Sequence, residues 1–146
     1  MDKPNSIESV FKFEGYQVNK IEFHSNDLFQ NSEPVGVESN FSIGIDVEEE
    51  KNEVRVTLGI ELFPNADENN YPFNMNIALT GIFSGENEQS YEELQKLGEI
   101  NGTAILFPFL RNIVSSVCVN ANFPPIMLPV INVYNLIKQQ KEAEKT

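Results

Sequence analysis

His24, Cys118, the acidic run Glu48–Glu50 with Glu53, and Asn101-Gly102-Thr103 are the residues of this 146-residue chain whose types could do chemistry. A lone histidine can move protons near neutral pH, but acid–base work needs a partner that orients the ring. His24 stands near the end of an expected strand and reads as a plain surface residue. Cys118 is the only cysteine, so it can form neither a disulfide within the chain nor a CxxC-type zinc site. It continues an apolar helix and reads as a small buried side chain rather than a nucleophile. Glu48–Glu50 and Glu53 read as a solvated hairpin tip. Asn101-Gly102-Thr103 spells a glycosylation sequon, which has no meaning in a cytosolic protein. GxxxxGK, GxGxxG and HExxH are all absent. No catalytic residue, metal or cofactor is expected, and an enzyme is not supported.

The elements that carry these residues follow from periodicity. Val35, Val37, Ser39, Phe41, Ile43, Ile45 and Val47 succeed each other at intervals of two, the period of one sheet face. A second alternation runs through Val54, Val56, Leu58, Ile60 and Leu62, and a short turn at Lys51–Asn52 makes these two a hairpin. A third, after PNADENNYP, sets Phe73, Met75, Ile77 and Leu79 against Asn74, Asn76, Ala78 and Thr80. Phe11–Phe23 predicts a weaker strand broken at Gly15. Such alternation suits antiparallel strands with one wet and one covered face.

The period changes after Gly85. Ser90-Tyr91-Glu92-Glu93 spells a capping box, predicting a short helix to about Gly98. Leu106, Phe109, Leu110, Ile113, Val114 and Val117 have the spacing of one face of a second helix, with Pro108 near its start. Asn120–Pro129 should be extended, because residues before proline are pushed out of the helical region. Asn132 can cap a last helix from Val133 to about Glu144, with fraying expected over about 140–146. Strands followed by helices give an α+β domain spanning residues 1–146.

Composition narrows the function classes. Twenty-two Asp+Glu against ten Lys+Arg give a net charge of -12, which disfavours nucleic acid and anionic lipid as partners. MDKPNSIESVFKFEG has neither a basic n-region nor an apolar h-region, so no secretory signal is expected and a cytoplasmic protein is. Asn112 to Ile137 is uncharged, yet five asparagines and Pro124, Pro125 and Pro129 divide it, so membrane insertion is not expected.

One constellation goes further. Gly81-Ile82-Phe83-Ser84, Leu97-Gly98, Ile105-Leu106-Phe107-Pro108-Phe109-Leu110-Arg111, Phe123-Pro124, Leu128, Asn132 and Leu136 occur in one order. This resembles the SecB protein-export chaperone family, in which a GIFS-like turn ends strand 4 and ILFP-aromatic-x-R opens a long helix. The likeness is good over about residues 73–140 and fainter before them. It implies a four-stranded antiparallel sheet, a crossover to a long helix, a C-terminal helix, self-association into a dimer or tetramer, and grooves for unfolded or extended polypeptide. Leu106, Phe109, Leu110 and Ile113 are then expected to seal the helix against the sheet and a second subunit. Phe83, Phe123, Ile126, Met127, Leu128 and Val130 are expected to line the groove, because a proline-rich loop lacks ladder donors and stays open.

The resemblance has gaps. Acidic residues on the outer sheet face of SecB dock the ATPase SecA; the matching positions are Lys20, His24, Asn74 and Asn76, none acidic. The family's tryptophan in the first crossover is also missing. The expectation is an ATP-independent holder of non-native polypeptide without SecA docking. The alternative is an interaction module dedicated to one client, such as an antitoxin. A small-ligand pocket or enzyme is disfavoured by the lack of paired His/Asp chemistry.

Overall fold

The computed structural model describes residues 11–128 and 131–144. Four strands, β1 (Phe11–Ser25), β2 (Ser39–Glu48), β3 (Glu53–Leu62) and β4 (Phe73–Gly85), form one antiparallel sheet in the order β1-β4-β3-β2. The β2–β3 hairpin closes at Glu48↔Glu53, where Asn52 adopts the left-handed conformation that asparagine tolerates. PNADENNYP contains a single helical turn, α1 (Ala66–Asn69).

Alternation decides which face is covered. Val54, Val56, Leu58, Ile60 and Leu62 of β3 and Phe73, Met75, Ile77, Leu79 and Phe83 of β4 are all buried. They form one apolar floor, and each large side chain removed from water contributes about 1.5–3 kcal/mol. Three strand boundaries differ from the sequence expectation. β2 starts at Ser39; Val35 packs on the core from outside the strand and Val37 is exposed. β1 is not broken at Gly15 but bulged there, with a register shift between Phe13 and Gly15. Gly15 has φ +119°, a conformation only glycine adopts without strain. Gly81–Ser84 is not a turn: β4 runs through it to Gly85, keeping the inward phase of Phe83.

The helices show the largest difference. Ser90 caps α2 (Tyr91–Lys96) with the full capping box, Glu93 N–H to Ser90 Oγ at 3.2 Å and Ser90 N–H to Glu93 Oε1 at 3.1 Å. The helix does not stop at Gly98. It passes through a π-helical turn, Leu97–Gly102, into α3 (Thr103–Asn120), giving a continuous run of 30 residues. That run is long and apolar enough to cross a membrane by length and composition, but its buried residues face the sheet. Gly98 and Gly102 let it approach closely: a Cβ at either would lie 2.8 Å from a methyl of Val54 or Val56. Pro108 is inside the helix, not in its first turn. It is exposed, as is Ala104 one turn earlier, so water can serve the carbonyl that lacks a partner.

α3 ends in a Schellman turn. Asn122 is left-handed (φ 65°), Phe123 N–H donates to Cys118 C=O at 2.9 Å and Asn122 N–H to Val119 C=O at 3.0 Å. The last helix, α4 (Val133–Glu144), starts where Asn132 Oδ1 accepts the Asn135 N–H at 3.0 Å, the expected cap.

Candidate functional site

The sheet-facing stripe of the long helix consists of Leu106, Phe107, Leu110, Val114 and Cys118, all buried. Ile113 and Val117 lie at its margin, half-buried. Phe109 is not sealed by this chain and stays 36% exposed. It sits one position off the stripe, and its ring packs on Tyr16 (4.6 Å between centroids) and Phe13 (6.0 Å) of β1. Tyr16 and Ile21, on the same side of β1, are 41% and 53% exposed. A strip of apolar surface along β1 and α3 is therefore uncovered in the single chain. The ILFPFLR segment works as a unit: Phe107 packs on Phe41 of β2 at 5.9 Å, and the Arg111 guanidinium lies 5.8 Å above the Phe107 ring.

The proline loop after α3 brings only part of the expected groove set to the surface. Met127 is 83% exposed. Phe123 and Ile126 are half-buried, with the Phe123 ring 5.1 Å from Phe73 and 5.8 Å from Phe23. Leu128 is buried in the core. Phe83 is fully buried and does not line an open groove, since its ring stacks on Phe13 at 5.1 Å under the helix. Val130 lies outside the described residues. The loop is tied back to α3 through Cys118, whose sulfur accepts the Ile126 N–H. Burial is the main influence on this thiol and raises its pKa, while the Ile126 amide opposes the rise. Cys118→Ser keeps an acceptor for Ile126 at little loss of volume. It should cost about 1 kcal/mol in a thermal melt; a loss of cooperative folding would mean the sulfur carries more than packing.

Beside the loop, α4 leans on the rest of the chain and bounds three cavities. A cleft of about 770 Å³ separates it from α2 and the π turn, floored by Leu97, Ile100, Tyr134 and Ile137. Smaller spaces of about 420 and 270 Å³ lie between α4 and β2. Glu99, the one buried charge among the described residues, accepts from Gln95 Nε2 at 2.9 Å and pairs with Lys141 Nζ at 3.1 Å. Gln140 bridges to β2, its Nε2 donating to Phe41 C=O at 2.7 Å and its Oε1 accepting the Ile43 N–H at 3.4 Å. Sequence reasoning missed Glu99, Gln140 and Lys141, because a polar residue on a helix, whether in the π turn or on α4, reads as solvated.

The outer sheet face is polar. Glu22, Asn76 and Glu61 stand in one row across β1, β4 and β3. Lys20 Nζ lies 3.5 Å from Glu22, and Asn74 Nδ2 donates to Glu61 Oε2 at 3.1 Å. His24, on β1, is exposed. Among the described residues no group of three or more His, Cys, Asp or Glu could hold a metal ion.

These features match one family. The model of SecB, the preprotein translocase subunit, matches residues 18–144. This chain belongs to the SecB family. SecB of Neisseria gonorrhoeae is 30% identical over 142 residues, covering 94% of this chain and 95% of that protein. SecB of Wolbachia from Drosophila simulans is 35% identical over 107 residues, 69% of this chain and 64% of that protein. An uncharacterized protein of Methanocaldococcus jannaschii is 29% identical over 139 residues, 93% and 88% respectively. Among solved structures, the Mycobacterium tuberculosis SecB-like chaperone in complex with a ChAD peptide from the HigA1 antitoxin superposes with TM-score 0.66. It is 14% identical, with 84% of this chain and 88% of that one covered, so it supports the SecB-like fold alone.

Proposed function

We propose that this SecB-family protein is a cytoplasmic, ATP-independent chaperone that holds extended apolar polypeptide, without catalysis and without metal. The observation that carries this reading is the exposed Met127 beside half-buried Phe123 and Ile126, on a loop whose prolines prevent it from pairing with a strand. A flexible thioether among rings accepts side chains of many shapes. Leu128 backs this surface from the core, and the residues act by apolar contact alone. The test is suppression of aggregation of an unfolded client without nucleotide. Tight binding to one partner with no such suppression would instead favour a dedicated module; the antitoxin peptide bound by the mycobacterial relative is what makes that second reading specific.

The chain is read as self-associating through the strip of Tyr16, Ile21 and Phe109, with Ile113 at its margin, because a second copy is the partner always present to cover it. Sedimentation equilibrium at micromolar concentration should give a dimer or tetramer; a 16.5 kDa species alone would refute this.

SecA docking through the sheet face is not part of this reading. Glu22 is paired with Lys20, and the positions matching the family's docking acids, Lys20, His24, Asn74 and Asn76, carry no acid, so the face lacks that negative charge for steering or register. Wild type should bind SecA weakly, and Lys20→Glu with Asn76→Asp should strengthen binding. Strong wild-type binding would mean that charge is not what the face supplies.

A further inference from the structure

We infer that Gln140 is a built-in stand-in for client backbone: its amide plugs a latent strand-docking slot on the free edge of β2, and an extended polypeptide competes with α4 for that slot. The inference rests on the polypeptide-binding reading above and locates the backbone half of the contact.

Among the described residues β2 is an end strand of the sheet, and the groups on its outer edge have no ladder partner there. Phe41 C=O and Ile43 N–H point to that edge together. They are the pair that one residue of an added parallel strand would engage, Phe41 C=O with its N–H and Ile43 N–H with its C=O. Gln140 makes both bonds with a single carboxamide, the side chain closest in chemistry to a peptide group. One bond is short at 2.7 Å and the other stretched to 3.4 Å, so the mimic fills the slot without matching its full geometry.

The surroundings suit exchange. Gln140 lines both the 420 Å³ and the 270 Å³ space and stands between them along the β2 edge. Phe41 lines one space and Ile43 the other, on either side of Gln140, ready to meet alternate side chains of a strand lying there. α4 itself is lightly held. Ile137 is its one buried side chain among the described residues and lies outside the main core cluster, and its polar ties include Gln140 and the Lys141–Glu99 pair. Elements with few buried apolar contacts open at the low end of the stability range. The apolar loop and the edge then divide the work: Met127 and its neighbours take side chains, and β2 takes the main chain.

The experiment uses the full chain and a fluorescein-labelled ten-residue Thr/Val peptide, alongside the same peptide with alternate amide nitrogens methylated. Methylation removes the donors of one peptide edge and leaves the side chains intact. Gln140→Ala should bind the unmethylated peptide about five-fold more tightly than wild type, and methylation should abolish that gain. The Ile43 amide should also exchange faster with solvent in the variant when no peptide is present. No gain in Gln140→Ala, or an equal gain for both peptides, overturns the strand-docking inference while leaving client holding intact if an unfolded client still binds. Absence of binding by any peptide or unfolded client overturns both.

Discussion

Leu106→Asp should abolish cooperative folding. Leu106 has no exposed surface, and its methyl groups occupy the space a side chain at Gly81 would need, 2.7 Å from an idealised Cβ there. Truncating such a leucine alone costs about 2–5 kcal/mol. A carboxylate adds the cost of an unpaired buried charge, several kcal/mol even after relaxation. Nothing nearby repays it: the neighbours are Gly81, Phe83 and the apolar floor of β3 and β4, and Arg111 is turned over Phe107. The sum reaches the whole stability of a typical domain, about 5–15 kcal/mol. Circular dichroism should show no sigmoidal melt for this variant at neutral pH. A melt like that of wild type would take Leu106 out of the core and the helix off the sheet.

Met127→Ser should weaken binding of an unfolded client about ten-fold while leaving the melting curve alone. The two effects separate because Met127 is 83% exposed and contributes little to the folded chain. If a client side chain covers it, the methionine contributes about 1.5–3 kcal/mol to the complex, and each 1.4 kcal/mol is a factor of ten. Phe123 is a poorer choice for this test, since its ring leans on Phe73 and Phe23 and its loss would loosen the loop. Fluorescence titration with a permanently unfolded client reads the change directly. Unaltered affinity would move the binding surface away from the loop, whatever the fate of the β2 edge.

What could be read in advance follows from where local rules agree with tertiary packing. β3 and β4 were legible because their two faces differ so sharply in burial that a period of two survives over their whole length. In β1 the shifts at Phe13/Gly15 and Val18/Lys20 each throw the alternation out of phase, so the longest strand gave the weakest signal. Gly98, Gly102 and Pro108 read locally as breakers. In the folded chain the glycines provide close approach to Val54 and Val56, and the proline sits where water reaches the freed carbonyl. Phe83 was misplaced for the same reason: GIFS looks like a turn, yet Met75, Ile77, Leu79 and Phe83 hold one inward phase. Of the site, the proline loop and the Asn132 cap were visible, since prolines and caps act through their own backbone. Gln140 and Lys141 were not, because a polar residue on a helix gives no sign of whether it meets water or a strand edge.

The π turn has one more effect on the long helix. Leu94, Gly98, Gly102, Leu106, Leu110, Val114 and Cys118 are all buried and follow each other at steps of four. An α-helix advances about 100° per residue, so each step overshoots a full circle by about 40°, and the series would drift by about 240°. Left uncorrected, that drift would carry one end of the stripe away from the sheet. The wider i→i+5 winding of Leu97–Gly102 takes back part of the advance in the middle of the helix. Leu94 and Cys118 can therefore face the same sheet from opposite halves of the 30-residue helix. The turn sets the angle at which the crossover arrives, including the contact of Glu49 Oε2 with the Tyr91 N–H at 2.7 Å. Removing a single residue there, such as exposed Asn101, would keep every side chain of the stripe yet turn the upstream half by about 100°. The count of residues in that turn is thus a timing element of the fold, as restrictive as the identity of any side chain around it.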